Sequence, residues 1–215
     1  RARAPGYYRV SSAPSVVGGK LIFGGAVADG QYAGEPSGVV RAYDAVTGKL
    51  AWAWDPGNPG QYGEPGKGRF YVSGTPNAWG PMSADDALGL VYVPTGNATP
   101  DYWGGHRSPE SNTYASSVVA LDAATGAPRW HFQTAHYDVW DYDVASQPVL
   151  FDLRTPKGVV PALLQPTKRG QLFMLDRRTG VPIFPVVEKP APQAGAVETL
   201  SPTQPWSTGL PDLGG

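Results

Sequence analysis

No cysteine occurs in the 215 residues, which excludes disulfides and Cys-ligated zinc or iron–sulfur clusters while leaving the redox compartment open. Charge is sparse: Asp, Glu, Lys and Arg make up 16% of the chain, 17 basic residues stand against 18 acidic ones, and the formal net charge is −1. No run of Lys or Arg could track a phosphate backbone, so nucleic acid is not an expected partner. Long apolar runs are missing as well, and nothing approaches the roughly 20 residues that a bilayer span needs. Arg1-Ala2-Arg3-Ala4 is not followed by an apolar signal core, so any membrane anchor is expected outside this sequence.

What the chain does have is 28 Gly, 23 Pro, 7 Trp and 11 Tyr in a background that is 41% hydrophobic. Many short strands joined by tight turns fit that mixture, and an all-β fold is the first expectation. A phrase then repeats: Ala42-Tyr43-Asp44-Ala45-Val46-Thr47-Gly48, Ala120-Leu121-Asp122-Ala123-Ala124-Thr125-Gly126 and Met174-Leu175-Asp176-Arg177-Arg178-Thr179-Gly180. Each copy begins with a strand (Val39 to Tyr43, Ser117 to Leu121, Gln171 to Leu175) and turns at Asp-x-x-Thr-Gly. There the Asp can accept backbone N–H bonds and the Gly can take positive φ, which is hairpin chemistry. Four residues past the Gly stand Trp52, Trp130 and, in the third copy, Phe184; a large ring at a fixed place can pack one sheet on the next.

Upstream of each copy lies another apolar strand (Lys20 to Gly25, Gly89 to Pro94, then Pro148 to Asp152 with Ala162 to Gln165), giving about four strands per unit, the size of a propeller blade. The Asp44–Asp122 and Asp122–Asp176 spacings of 78 and 54 residues exceed a compact blade, so loops are inserted, chiefly Asp55 to Ala78 and Ala98 to Tyr114. Residues 1–187 therefore read as a partial β-propeller of about three blades. Three blades cannot close a ring, so the sequence is expected to be a fragment of something larger. The Pro- and Gly-rich stretch 188–215 reads as a loop leading toward further blades.

The Ala-x-Asp-x-x-Thr-Gly-x-x-x-Trp phrase resembles the tryptophan-docking repeat of quinoprotein alcohol dehydrogenases, although similar repeats occur in propellers that only bind protein. The loops narrow the resemblance. Gly34 to Ala42, Val93 to Asp101, Val139-Trp140-Asp141-Tyr142-Asp143-Val144, Gln165 to Gly170 and Leu175 to Gly180 together look like the membrane-bound glucose, quinate and polyol dehydrogenases that use pyrroloquinoline quinone (PQQ). The similarity runs from about Leu21 to Pro205. It implies an eight-bladed propeller, PQQ near its axis with a Ca2+ or Mg2+ ion beside it, a small sugar or polyol substrate, ubiquinone as the electron acceptor, and the periplasmic face of the bacterial inner membrane.

By the same resemblance Asp141 matches the catalytic carboxylate that takes the substrate hydroxyl proton as hydride leaves carbon. Trp79 matches the indole on which the quinone stacks, and Lys168 the basic residue that donates to the quinone oxygens. Asn97 and Thr99 are placed at the cofactor and the metal, with Asp29 and Asp141 completing the oxygen donors of a hard cation. Asp29 precedes Gly30 where some relatives carry Asn, so one ligand is expected to be missing or replaced.

Each residue also has a plainer reading. Asp138, Asp141 and Asp143 fit a solvated acidic loop, Trp79 a blade-packing indole, Lys168 a surface lysine, and Asn97-Ala98-Thr99 a turn or a glycosylation sequon. His136 is read as a hydrogen-bonded structural side chain and Arg177 and Arg178 as solvated turn residues. Two other functions compete: a non-enzymatic scaffold propeller, and a calcium-dependent glycoside hydrolase with Asp138 and Asp143 as its acid and base.

Overall fold

The computed structural model describes residues 8–30 and 35–214. Gly34, which opens one of the loops quoted above, and Arg1 to Ala4 lie outside the described residues. Three antiparallel meanders follow one another along the chain. The first sets Ser15–Val17, Lys20–Phe23, Val40–Asp44 and Leu50–Trp54 side by side. Ser83–Asp85, Leu90–Pro94, Ser117–Asp122 and Pro128–Gln133 form the second. The third contains Val149–Thr155, Gly158–Pro166 and Leu172–Asp176. Consecutive four-stranded meanders are propeller blades, as the repeats predict. In the third blade the fourth strand shrinks to one bridge, Leu175 to Pro182. Pro182 and Pro185 have no N–H to continue a ladder there.

The turns behave as their composition requires. Asp44 Oδ1 accepts from Val46 N (3.1 Å), Thr47 N (2.7 Å) and Thr47 Oγ1 (2.8 Å), and Asp122 Oδ1 repeats the pattern on Ala124 and Thr125. Gly48, Gly126 and Gly180 close the turns at φ of 68°, 78° and 74°. Each ring then docks onto the next repeat. Trp52 Nε1 donates to Ala123 O (3.0 Å) and its ring lies so close to Gly126 that a Cβ there would sit 2.6 Å from it. Trp130 treats Gly180 the same way, donating to Arg177 O at 3.3 Å. Phe184 lies against Gly209, which belongs to no such repeat, so the third copy also sets its ring on a glycine.

The middle blade is covered on both faces. Val91, Val93, Val119 and Leu121 join one buried cluster with Ile22, Val40 and Trp52, while Leu90, Tyr92, Val118 and Ala120 join another with Leu163, Phe173 and Leu175. A sheet between two others has no wet face, which is why Leu90–Pro94 and Ser117–Leu121 read as nearly continuous apolar runs.

Two expectations are corrected. The stretch from Glu188 is not only loop: Val186–Pro190 pairs with Thr203–Ser207 as a two-stranded ribbon. Gln204 exchanges bonds with the His136 backbone (2.8 and 2.7 Å), and Arg169 donates to Pro205 O, so the ribbon is tied to the loops of the blades. Arg177 is not solvated either. Its guanidinium, 15% exposed, reaches Asp85 (2.7 Å) and Asp152 (3.0 Å) and clamps two blades. Position on a turn does not expose a side chain when the turn abuts the next sheet. Arg178, half exposed, pairs with its own turn's Asp176.

Because strands alternate in direction, connections emerge at two ends. The three Asp-x-x-Thr-Gly turns share one end, and the connections at 24–39, 55–82, 95–116, 134–148 and 167–171 share the other. Every residue singled out for chemistry lies at that second end.

Candidate functional site

The Trp140-Asp141-Tyr142-Asp143 loop is pinned from two sides. Asp141 has φ 62°, a left-handed conformation that is costly for a residue with a Cβ. Lys168, delivered by the hairpin between the second and third strands of the third blade, donates to Asp141 Oδ1 and Asp141 O at 3.0 Å each and to Asp143 Oδ2 at 3.1 Å. Side-chain exposure is 33% for both Lys168 and Asp141 but 10% for Asp143. Asp143 faces inward: Oδ2 also accepts from Trp79 Nε1 (3.1 Å), and Oδ1 accepts from Asn97 N (2.6 Å). One carboxylate thus joins Trp79, Lys168 and the Asn97 loop, which come from three different connections.

Burial and the neighbouring Asp143 raise the Asp141 carboxyl above its ordinary range in spite of Lys168. Burial opposes the Lys168 charge, yet its bonds to the two carboxylates hold the ammonium above its usual value. The site is therefore crowded with negative charge. Asp101, buried and repelled by Asp29, Asp143 and Asp141, is pushed up to about 8. Asp29 is raised by burial and then by Asp143, while Asn77 Nδ2 donates to its Oδ2 at 3.0 Å.

Several oxygens here lack a hydrogen-bonding partner. Asn77 Oδ1 and Thr99 Oγ1 are buried and accept nothing. Such orphaned acceptors cost about 1–3 kcal/mol each unless a ligand uses them. Among the described residues no three His, Cys, Asp or Glu side chains converge closely enough to hold an ion, so a cation would need carboxylate oxygens mixed with these amide and hydroxyl oxygens. Gly96 keeps the cluster tight, since a Cβ there would meet Asp143 Oδ1 at 2.9 Å and Asn77 Oδ1 at 3.3 Å.

Of the residues picked from sequence, Asp141, Lys168 and Trp79 are joined directly or through Asp143, and Asp29 approaches them through Asn77. Asn97 instead spends its amide on the protein: Nδ2 donates to Asp101 O and Asp138 O at 2.9 Å each, and Oδ1 accepts from Ala98 N at 2.8 Å. His136 bonds Gln133 (2.7 Å) and Glu188 (3.2 Å), consistent with a structural side chain. Sequence reasoning missed Asn77, Asp101 and Arg107, and gave Asp143 only an acidic-loop or hydrolase reading rather than this joining role. Arg107 donates to the carbonyls of Asp138 (2.5 Å), Pro100 (2.7 Å) and Asp101 (3.1 Å). Three carbonyl bonds to one buried guanidinium leave no local sequence signal, whereas Asp143 stood in plain view two residues from Asp141.

The glycoside hydrolase reading loses its geometry here. Asp138 is fully buried, with its carboxylate committed to Ser116 Oγ (2.6 Å), Trp140 N (2.9 Å) and Tyr142 N (2.7 Å). It cannot flank a glycosidic bond as that chemistry requires.

Residues 1–213 match the PQQ family described as "Glucose/ethanol/alcohol dehydrogenase, beta-propeller domain". The chain is 54% identical over 212 residues to the glycerol dehydrogenase large subunit of Gluconobacter oxydans (strain 621H), an alignment covering 97% of this chain and 28% of that protein. Quinoprotein glucose dehydrogenase A of Acinetobacter calcoaceticus is 47% identical over 210 residues, covering 94% of this chain and 26% of that protein. Among solved structures, the quinohemoprotein alcohol dehydrogenase from Comamonas testosteroni superposes with a TM-score of 0.68 at 30% identity, covering 93% of this chain and 31% of the other. The chain thus spans less than a third of the length of these relatives.

Proposed function

This chain belongs to the PQQ β-propeller family of glucose, ethanol and alcohol dehydrogenases, and from that premise we propose that the protein carrying it oxidises a sugar, quinate or polyol hydroxyl, with PQQ accepting the hydride. The observation that supports this most is the junction of Trp79, Lys168 and Asp141 through Asp143 at the loop end of the blades. A scaffold propeller has no use for such a junction.

The residues suit the cofactor. Trp79 offers an aromatic face for a flat quinone, its in-plane orientation set by the indole N–H bond to Asp143. Lys168 offers a cation for the quinone oxygens, and when bound PQQ supplies the two-electron hydride acceptor. Asp29, Thr99, Asp141 and the unpartnered Asn77 Oδ1 would present oxygens to Ca2+ or Mg2+, and the surplus of carboxylates favours a divalent cation. Asn97 would shape that pocket through its backbone and its loop-to-loop amide bonds.

Asp141 takes the proton from the substrate hydroxyl while the hydrogen on the same carbon departs with its electron pair, leaving a carbonyl or lactone. Lys168, bonded to one carboxylate oxygen and to the backbone carbonyl of Asp141, keeps the carboxylate aimed and partly offsets its charge. In the whole protein the electrons pass on to ubiquinone at the periplasmic face of the inner membrane. No helix among the described residues is long and apolar enough to cross a membrane.

The test is quinone binding by calorimetry with calcium present, followed by dye-linked oxidation of a panel of sugars, quinate and polyols. In the full-length protein, Asp141→Asn should bind PQQ normally and lose about 10²–10⁴-fold in kcat, the usual worth of a positioned base. Trp79→Ala should bind poorly. A full-length protein that binds no quinone would replace this reading with the scaffold.

A further inference from the structure

We propose that Asp138 is the positioning residue that sets the reactive geometry of Asp141. This inference rests on Asp141 being the base. The two amides that flank Asp141 both point at one carboxylate: Trp140 N donates to Asp138 Oδ1 at 2.9 Å and Tyr142 N to Asp138 Oδ2 at 2.7 Å. With both neighbours drawn inward, the residue between them has its backbone fixed, and its side chain meets Lys168 instead.

The backbone needs such a hold. Ser116 (φ 46°), Tyr137 (φ 42°) and Asp141 (φ 62°) are the non-glycine residues with positive φ among those described. All three gather on Asp138. Tyr137 precedes it in the chain, Ser116 Oγ donates to its Oδ2 at 2.6 Å, and Asp141 lies between the two amides it accepts. Residues in such conformations persist only where their surroundings over-determine them. Here the determinant is a carboxyl group with no exposure that accepts from both flanking amides and from Ser116 Oγ.

Asp138 is itself anchored. Its carbonyl accepts from Asn97 Nδ2 (2.9 Å) and Arg107 Nη1 (2.5 Å), both carried by the loop between the second and third strands of the middle blade. The chain of support runs from that loop through Asp138 to the amides of 140 and 142 and so to the Asp141 carboxylate. Asp138, with no exposure and its oxygens bonded to protein groups, acts through Asp141. An Asn at 138 would keep one acceptor oxygen and turn an NH2 group toward the other donors, so at least one flanking amide would lose its partner.

The experiment has a kinetic arm and an exchange arm, both in the full-length protein. Asp138→Asn should lower kcat by about tenfold to a hundredfold, the cost of a base displaced by a fraction of an ångström to 1 Å. KM for the best substrate and the calorimetric affinity for PQQ should change by less than about threefold, because Trp79, Lys168 and Asp143 keep their places and Asp141 still offers an oxygen, whereas proton transfer needs its exact aim. Ser116→Ala, which spares both flanking amide bonds, should lose less than about threefold in kcat. In the quinone-free protein, hydrogen–deuterium exchange of the 138–144 segment should be slow in the wild type and markedly faster in Asp138→Asn.

Three results would overturn the proposal: Asp138→Asn with kcat within twofold of wild type, Ser116→Ala as damaging as Asp138→Asn, or a wild-type segment that exchanges as fast as an open loop. The last needs no variant and so decides even if Asp138→Asn fails to fold. Slow amides in a protein that oxidises nothing would overturn the dehydrogenase reading and with it the positioning role, leaving Asp138 a backbone anchor, whereas fast amides with normal turnover would overturn the positioning role alone.

Discussion

Substituting Ala for glycine at equivalent places in two repeats separates the cost of a turn from the cost of docking. Gly48 has φ 68° and empty space where a Cβ would go; Gly126 has φ 78° and the Trp52 ring 2.6 Å from that position. Left-handed φ costs a non-glycine residue about 1–2 kcal/mol, and lost freedom in the unfolded chain returns part of this, so Gly48→Ala should cost about 1 kcal/mol. At Gly126 the same term applies, but the indole must also retreat, because carbon atoms pack comfortably only at about 3.5–4.0 Å. Trp52 is 1% exposed and tethered to Ala123 O, so it has nowhere to go without straining its neighbours. Overpacking of about 1–3 kcal/mol and a weakened hydrogen bond of about 1 kcal/mol bring Gly126→Ala to about 3–5 kcal/mol. Thermal melts followed by circular dichroism should place Gly126→Ala about 5–10 °C below Gly48→Ala. Melting points within about 2 °C of each other would refute ring-on-glycine docking as the joint between blades.

Arg177→Met should destabilise by about 3 kcal/mol, since it strands Asp85, whose side chain is 9% exposed, without its partner; the Asp152 contact, 63% exposed on that side, should add little. Burial alone would raise the Asp85 carboxyl, but Arg177 holds it below its ordinary value, so this stabilisation is complete above the ordinary carboxylate range and fades as pH falls through the depressed value. The gap in melting temperature between wild type and Arg177→Met should hold steady from about pH 5 to 8 and narrow below about pH 4; a gap unchanged at acid pH would refute the clamp. Asp143→Asn, which keeps one acceptor oxygen for three donors, should weaken PQQ binding by about tenfold, or about 1.4 kcal/mol, by calorimetry. Unaltered affinity would mean that Trp79 and Lys168 hold their places without it.

Local chemistry is what the sequence displays well. Asp-x-x-Thr-Gly closes its turn with bonds no longer than five residues, so the three repeats and their strands could be read directly, and the rings after them implied docking. Asp141, Lys168 and Trp79 were legible because each sits in a motif long enough to be matched. Asn77, Asp101 and Arg107 were not, because their meaning comes from partners in other connections: Asn77 acts on Asp29, Arg107 on the Asp138 carbonyl. Arg177 was misread because a turn seems solvated until the next sheet is laid on it. The ribbon of Val186–Pro190 and Thr203–Ser207 was hidden by Pro190 and Pro205. In a two-stranded ribbon alternate N–H groups point outward, and proline is tolerated at those positions.

The disposition of the acids narrows the chemistry further than any single contact. Asp138 spends its carboxylate on backbone amides and a hydroxyl, Asp143 on an indole, an amide and an ammonium, and burial and neighbouring acids push Asp101 up to about 8. Half-buried Asp29 and one-third-exposed Asp141 keep oxygens to offer. Hydrolysis of a glycoside needs two acids across one bond, and phosphoryl transfer needs cations gathered on one group. Oxidation of a hydroxyl needs only one base, provided something else removes the hydride. A site that presents one carboxylate, one ammonium beside it, an indole tied by its N–H and unpartnered oxygens suits the proposed division of labour, in which the protein would handle the proton and PQQ the electrons.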